Sequence, residues 1–208
     1  MRCGVVGVGR MGQHHARVYA TTPGCELVGV VDASQQRREQ IADKFESRAF
    51  ATVQELIAAG VDAVSIAVPT TAHRREAEPL IRAGVACLIE KPLAQDVSEA
   101  RAIKELAESH NAILMVGHIE RFNPVMRAMQ RAVENSQPVV PRFIEVQRVS
   151  PMTFRSVDIG VVMDMMIHDL DVVLMLMGGC EPDEVQAAGV SVITQHEDVC
   201  NARLTFKR

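Results

Sequence analysis

Aromatic side chains are scarce in this sequence: its 208 residues include no tryptophan, one tyrosine and six phenylalanines. A base or sugar ring must therefore be held by aliphatic and polar groups rather than by stacking. Positive charge is not in excess. With 22 Lys and Arg against 26 Asp and Glu, a net charge of −4, and no basic cluster interleaved with aromatics, the chain offers nucleic acid no electrostatic footprint. No apolar run approaches the roughly 20 residues that cross a bilayer. Met1-Arg2 leads straight into "CGVVGVG" without the basic n-region and cleavage site of a signal peptide, so a cytoplasmic protein with no membrane partner is expected. The five cysteines, Cys3, Cys25, Cys87, Cys180 and Cys200, are odd in number and scattered. That suits neither a disulfide framework nor a zinc site, and they read as small buried hydrophobes.

Hydrophobic residues, at 48%, are plentiful enough for a substantial core. Over the first 120 residues short apolar runs alternate with helical patterns: "CGVVGVG", then 10–21; "ELVGVVD", then 34–45; "DAVSIAVP", then 73–84; "ACLIEKP", then 96–109; and "AILMVGH". The runs are rich in Val, Ile and Leu throughout, as strands buried on both faces of a parallel sheet are. This is the pattern of an α/β, doubly wound Rossmann domain. From Pro124 the pattern changes to a helix over 125–135, a strand "RFIEVQRVS" at 142–150, a helix over 160–177 stopped by Gly178-Gly179, and two further strands. The last, "CNARLTFKR", alternates apolar and polar residues like a sheet with one wet face. The expected organisation is a Rossmann domain over 1–123 and an α+β domain over 124–208, with a predominantly antiparallel, open and incomplete sheet. An open strand edge invites pairing with another chain.

"GVGRMG" places Gly7, Gly9 and Gly12 between the first strand and first helix, with Arg10 and Met11 between them. Such glycines allow a tight turn and close backbone approach, and the helix start offers free N–H groups to a pyrophosphate. Asp32 closes the second strand 20 residues after Gly12, where a carboxylate accepts from the adenosine ribose hydroxyls. A dinucleotide is expected, NAD ahead of NADP, because Asp32 repels a 2′-phosphate whereas Arg37 and Arg38 attract one. A methyltransferase shares the glycine loop and the acidic residue, so these features alone leave hydride chemistry open. Three stretches lie at carboxyl ends of strands, where open α/β sheets bind ligands: "VPTTAH" (68–73), "EKP" (90–92) and "GHIERFNP" (117–124). Pro92 restricts Lys91 to an extended backbone and directs its side chain. Read alone, Lys91 is equally a surface cation paired with Glu90, Arg121 a surface partner of Glu120, Phe122 a packing residue and Pro124 a helix start.

The segment "VMDMMIHDLD" (162–171) sets Asp164, His168, Asp169 and Asp171 in an otherwise apolar run. At helical spacing Asp164, His168 and Asp171 share a face. Carboxylates buried there must be paired, solvated or used. Asp169 and Asp171 read as structural, Asp171 through a basic partner, and the methionines around them as core fill rather than a metal site.

Taken in order, "GVGRMGQHHARVY", "VPTTAH", "EKPLA", "GHIERFNP" and "DMMIHDLD" resemble the Gfo/Idh/MocA oxidoreductases, NAD(P)-dependent dehydrogenases of sugars and cyclitols, over nearly the whole chain. "VGHIERFNP" with "FRSVDIGVVMDMMIHDLDVV" is most similar to the UDP-N-acetylglucosamine 3-dehydrogenase group, which oxidises the sugar C3 hydroxyl. The resemblance implies that Lys91, Asp164 and His168 are catalytic. His168 would take the hydroxyl proton, as an imidazole titrating near about 6.5 can; Asp164 would orient it, and Lys91 would stabilise the developing oxyanion. It further implies that Val68, Pro69, Thr70, His73, Glu90, Lys91 and His118 join the glycine loop and Arg37 around the cofactor. Lys91, His118, Arg155, Asp164 and His168 would meet the substrate, a sugar or sugar nucleotide. Homo-oligomerisation through the second-domain sheet is also implied. The competing expectation is a cofactor-binding protein without turnover, a sensor or assembly partner.

Overall fold

The computed structural model describes residues 1–134, 141–151 and 159–207, so the expected substrate residue Arg155 lies outside the described residues. The chain divides into two compact units, Met1–Gly117 and His118–Arg208.

In the first unit β1 (Arg2–Val6), β2 (Glu26–Val31), β3 (Arg48–Phe50), β4 (Ala63–Ile66), β5 (Ala86–Ile89) and β6 (Leu114–Val116) form one sheet in the order β3-β2-β1-β4-β5-β6. All five neighbouring pairs are parallel. Helices α1 (Arg10–Thr21) and α2 (Gln35–Lys44) cover one face, where Ala16 and Ile41 pack on Val5, Leu27 and Val30. Helices α3 (Val53–Ala58), α4 (His73–Arg82) and α5 (Val97–Ser109) cover the other, where Leu56, Leu80, Ile81 and Ile103 pack on Val6, Val64, Ile66 and Ile89. Each fully buried aliphatic side chain contributes about 1.5–3 kcal/mol relative to exposure. Ser34, Thr52 and Asp96 cap α2, α3 and α5 by accepting the N–H of the residue three positions on. The sequence reading passed over β3 and α3. Three residues are too few for periodicity, although Thr52 with Glu55 is a capping pair that sequence alone can show. Since strand order reverses between β1 and β4, their carboxyl ends form the switch point at which such sheets bind ligands.

In the second unit α6 (Pro124–Glu134) begins at Pro124 as expected. Val162–Met166 forms a π-helical turn leading into α7 (Ile167–Leu176). β7 (Glu184–Val190) and β8 (Val199–Thr205) pair antiparallel, with Ala187 opposite Ala202. Cys200, Ala202 and Leu204 face Met166, Leu170 and Leu174 across an apolar cavity of about 260 Å³. In the hairpin loop the Asp198 Oδ2 accepts from the N–H groups of Val192, Ile193 and Thr194 at 2.7, 2.6 and 3.0 Å. These donors hold its carboxyl far below the usual carboxylate range. The same loop receives the start of the α7 segment, because Val161 N–H donates to the Glu197 carbonyl at 2.8 Å.

Residues 142–150 do not form a strand: β7 and β8 pair only with each other among the described residues, and a strand needs a neighbour for its ladder. Phe143 and Val149 are accordingly 82% and 95% exposed. Arg148 holds this segment instead, through two nitrogens on Asp169 at 2.7–3.0 Å. Phe122 is half exposed. The cysteines are not uniformly buried either, since Cys3 and Cys87 are inside whereas Cys180 lies on the surface.

Asp171 is a buried charge in the second unit, and Arg121 grips it with Nε and Nη2 at 2.5–3.0 Å. Glu120, the other candidate partner of Arg121, accepts from Asn123 Nδ2 instead. Burial pushes the Asp171 carboxyl up, but the Arg121 hydrogen bonds, with charge from His118, Arg121 and His168, outweigh it and hold the group below its ordinary value. A carboxyl depressed in the fold stabilises it above the unfolded pKa, and this stability is lost as pH falls through the folded value. Arg121→Met should therefore lower unfolding free energy by about 1–3 kcal/mol at neutral pH, as an unsatisfied buried acceptor does. Urea denaturation should show the gap from wild type closing below about pH 4, where the unfolded carboxyl takes its proton.

Candidate functional site

At the end of β1 the chain turns through Gly7, whose φ of +83° favours glycine. A Cβ there would meet Val68 Cγ1 at 2.7 Å and the Ala67 backbone at 2.8 Å, so the loops after β1 and β4 already touch. Gly12 is more constrained still, since its Cβ would stand 1.7 Å from the Gly7 carbonyl oxygen. Only glycine lets α1 begin this close to the strand. Gly9 differs from both: a Cβ there would meet no atom within 4 Å, and its backbone is extended. Packing does not require glycine at position 9, and the space is one a side chain would fill. No side chain caps α1 and its first turn carries no acid, so its leading N–H groups suit a pyrophosphate.

The Asp32 carboxylate is buried against this loop. Its Oδ2 accepts from Val8 N–H and its Oδ1 from Ser34 N–H, both at 2.9 Å. One lone pair on each oxygen is thereby used, which leaves acceptor capacity for a ribose diol. Arg37 Nη1 stands 3.6 Å from Oδ1, and Arg38 Nη1 donates to the Asp32 carbonyl at 3.1 Å. Arg10 and Met11 are exposed at the start of α1. A glycine cradle ending on a carboxylate with spare lone pairs fits a dinucleotide.

Beyond β4, Pro69 leads into a 3-10 turn whose first residue, Thr70, is buried. His73 is buried too, with Nδ1 3.2 Å from the Leu93 carbonyl and Nε2 3.0 Å from the Val68 carbonyl. Both ring nitrogens are thus engaged with backbone, and His73 braces the loop from beneath. At the end of β5 the Glu90 carboxylate accepts from His15 Nε2 at 2.7 Å and from the Lys91 backbone N–H. Lys91 is half-buried and joined to Pro92 by a cis peptide bond. Glu90 therefore has a histidine partner that the sequence reading did not identify. Its signal was spacing alone: His15 falls three and four residues after Gly12 and Met11, on their side of α1.

His118, Asp164 and His168 belong to the second unit. His118 Nδ1 is buried 3.8 Å from Asp171 Oδ2, too far for a hydrogen bond. Asp164 and His168 are half-buried. The even α-helical spacing expected between them is not observed, because Asp164 sits inside the π-helical turn. Its wider winding changes the angular step per residue before Ile167 from that of a regular α-helix. Turns of this kind recur where a helix carries functional side chains. Among the described residues no group of three His, Cys, Asp or Glu side chains is placed to hold a metal ion, and no helix is long and apolar enough to cross a membrane.

The profile of an oxidoreductase family with an NAD-binding Rossmann fold, Gfo/Idh/MocA, matches residues 1–118. The UDP-N-acetylglucosamine 3-dehydrogenase of Acidithiobacillus ferrooxidans is 42% identical over 206 residues, covering 99% of this chain and 63% of its own length. Its solved structure superposes with a TM-score of 0.89. The inositol 2-dehydrogenase of Rhizobium meliloti is 33% identical over 93% of this chain and 59% of its own. GenD2 from gentamicin A biosynthesis, solved in complex with NAD, is 26% identical with a TM-score of 0.84, covering 97% of this chain and 61% of its own. The chain thus spans about three fifths of the length of these relatives. The six-stranded sheet in its doubly wound order, the glycine cradle closed by Asp32 and the match over residues 1–118 together establish that this chain belongs to the Gfo/Idh/MocA family of NAD-binding oxidoreductases.

Proposed function

We propose that the protein is an NAD-dependent dehydrogenase that oxidises a secondary hydroxyl of a sugar nucleotide, C3 of a UDP-N-acetylhexosamine. The observation that carries this reading is the cradle at Gly9, open where packing asks for no glycine and bordered by the Asp32 carboxylate. The identity to a UDP-N-acetylglucosamine 3-dehydrogenase along 99% of the chain supports the substrate. In this reading residues 1–123 bind the cofactor and residues 124–208 bind substrate and pair with a second copy of the chain. Arg155 meets the substrate diphosphate.

NAD, when bound, supplies the acceptor for the hydride that leaves the carbinol carbon. The protein's own residues do the rest. Gly7, Gly9 and the first N–H groups of α1 hold the pyrophosphate, and Asp32 accepts from the ribose hydroxyls, where its charge disfavours a 2′-phosphate. Arg10, Met11, Val68, Pro69 and Thr70 border the cradle, and His118 meets the nicotinamide end or the sugar. His168 takes the hydroxyl proton, so that C–H and O–H bonds break as the ketone forms and charge is conserved. Lys91 donates to the same oxygen and stabilises the negative charge it gains. Asp164 orients the imidazole and balances its positive charge.

Incubation with UDP-N-acetylglucosamine and NAD should produce the absorbance band of the reduced cofactor. His168→Ala should cut kcat by about 10²–10⁴-fold, the usual loss of a general base, and Lys91→Ala by about 10²–10³-fold. An unchanged rate in His168→Ala would remove its assigned role. NAD binding in calorimetry with no reduction by any sugar nucleotide would instead favour a cofactor-binding sensor. Asp32→Ala should weaken NAD about tenfold and strengthen NADP, as Arg37 and Arg38 remain to meet the added phosphate. Titration of both cofactors into wild type and variant decides this.

A further inference from the structure

We propose that His15 is a positioning residue for Lys91, acting through the carboxylate of Glu90 and tying the lysine to the helix that carries the cofactor loop. The proposal rests on the dehydrogenase reading for its effect on turnover, but not for its geometry. Three elements of the first unit close on one carboxylate. From α1, His15 Nε2 lies 2.7 Å from Glu90 Oε1, with only 18% and 16% of the two side chains exposed. From the end of β5, the Lys91 backbone N–H donates to the same carboxylate. From the end of β6, Gly117 leaves the room: a Cβ there would come within 3.1–3.2 Å of the Glu90 carboxylate atoms.

A carboxylate only accepts, so Nε2 must be the nitrogen bearing hydrogen, whether the ring is neutral or charged. Burial alone would raise the Glu90 carboxyl. The hydrogen bond and charge of His15, with the N–H and charge of Lys91, outweigh it and hold the group below its ordinary value. A negative charge is therefore pinned beside Lys91 by a side chain from another element. Without His15 the poorly solvated carboxylate loses a charge-assisted hydrogen bond and turns to other donors, the nearest in sequence being the Lys91 ammonium. With it, the amine and the pyrophosphate loop belong to one framework, because α1 begins at Arg10 and His15 lies just over one turn further on. Removing His15 should then impair catalysis more than cofactor binding.

The test compares His15→Gln, whose amide N–H can stand where Nε2 does, with His15→Asn, one methylene too short to reach, and with His15→Leu. His15→Asn and His15→Leu should lower kcat by about tenfold or more, as small misplacements of a reacting group do, and leave the NAD Kd in calorimetry within about threefold. His15→Gln should restore kcat to within about threefold of wild type. A second readout needs no turnover. After a pulse of limiting acetic anhydride, peptide mass spectrometry gives acetylation of Lys91 relative to the exposed Lys207. That ratio should change at least about threefold in His15→Asn and Glu90→Ala, and return in His15→Gln. Should wild type reduce no NAD, the dehydrogenase reading fails while the labelling ratio still judges the positioning. A ratio unchanged in His15→Asn, or changed equally in His15→Gln, overturns the proposal even if thermal stability falls.

Discussion

The contact between Gly12 and the Gly7 carbonyl is the constraint from which the first unit takes its form. Helix α1 starts so near the end of β1 that no side chain fits between them, and this proximity aims the leading N–H groups at the space beside Gly9. Asp32 then fastens the loop from the second strand through Val8, and Val68 closes it from the fourth. A loop of six residues is thereby held by three strands. Preorganisation of this sort means that little ordering remains when an anion arrives, so more of the interaction appears as affinity.

In the second unit the equivalent constraint is electrostatic. Two aspartates of the α7 segment face in different directions and each is met by an arginine from a different stretch of chain: Asp171 by Arg121 and Asp169 by Arg148. The first pair fastens the segment after His118, and the second fastens an extended stretch that has no sheet partner among the described residues. With the helix start anchored to Glu197 in the hairpin loop, α7 becomes the spine to which the other parts attach. Of the functional candidates, His168 lies in α7 itself and Asp164 in the π-helical turn that leads into it.

Much of this was legible in the sequence. Continuous Val and Ile runs marked the buried parallel strands, and the glycine spacing with Asp32 marked the ligand edge, because both are local patterns with direct physical causes. Pro124 marked a helix start for the same reason. What escaped had nonlocal causes. β3 is three residues long and exists through its ladder with β2. Residues 142–150 have strand-like alternation but no neighbour to pair with among the described residues. The partners of Arg121 and of Glu90 lie 50 and 75 residues away, so adjacency in sequence suggested Glu120 and Lys91 in their place. The apolar pattern of residues 162–166 does not distinguish a π-helical turn from regular winding.

The glycine at position 9 shows how the molecule divides its priorities. A residue with a side chain would be accommodated there without collision and would narrow the range of unfolded conformations, which ordinarily strengthens a fold. The protein forgoes that gain. At this point of the backbone, robustness of the empty molecule and readiness to receive a guest pull in opposite directions, and the sequence sides with the guest.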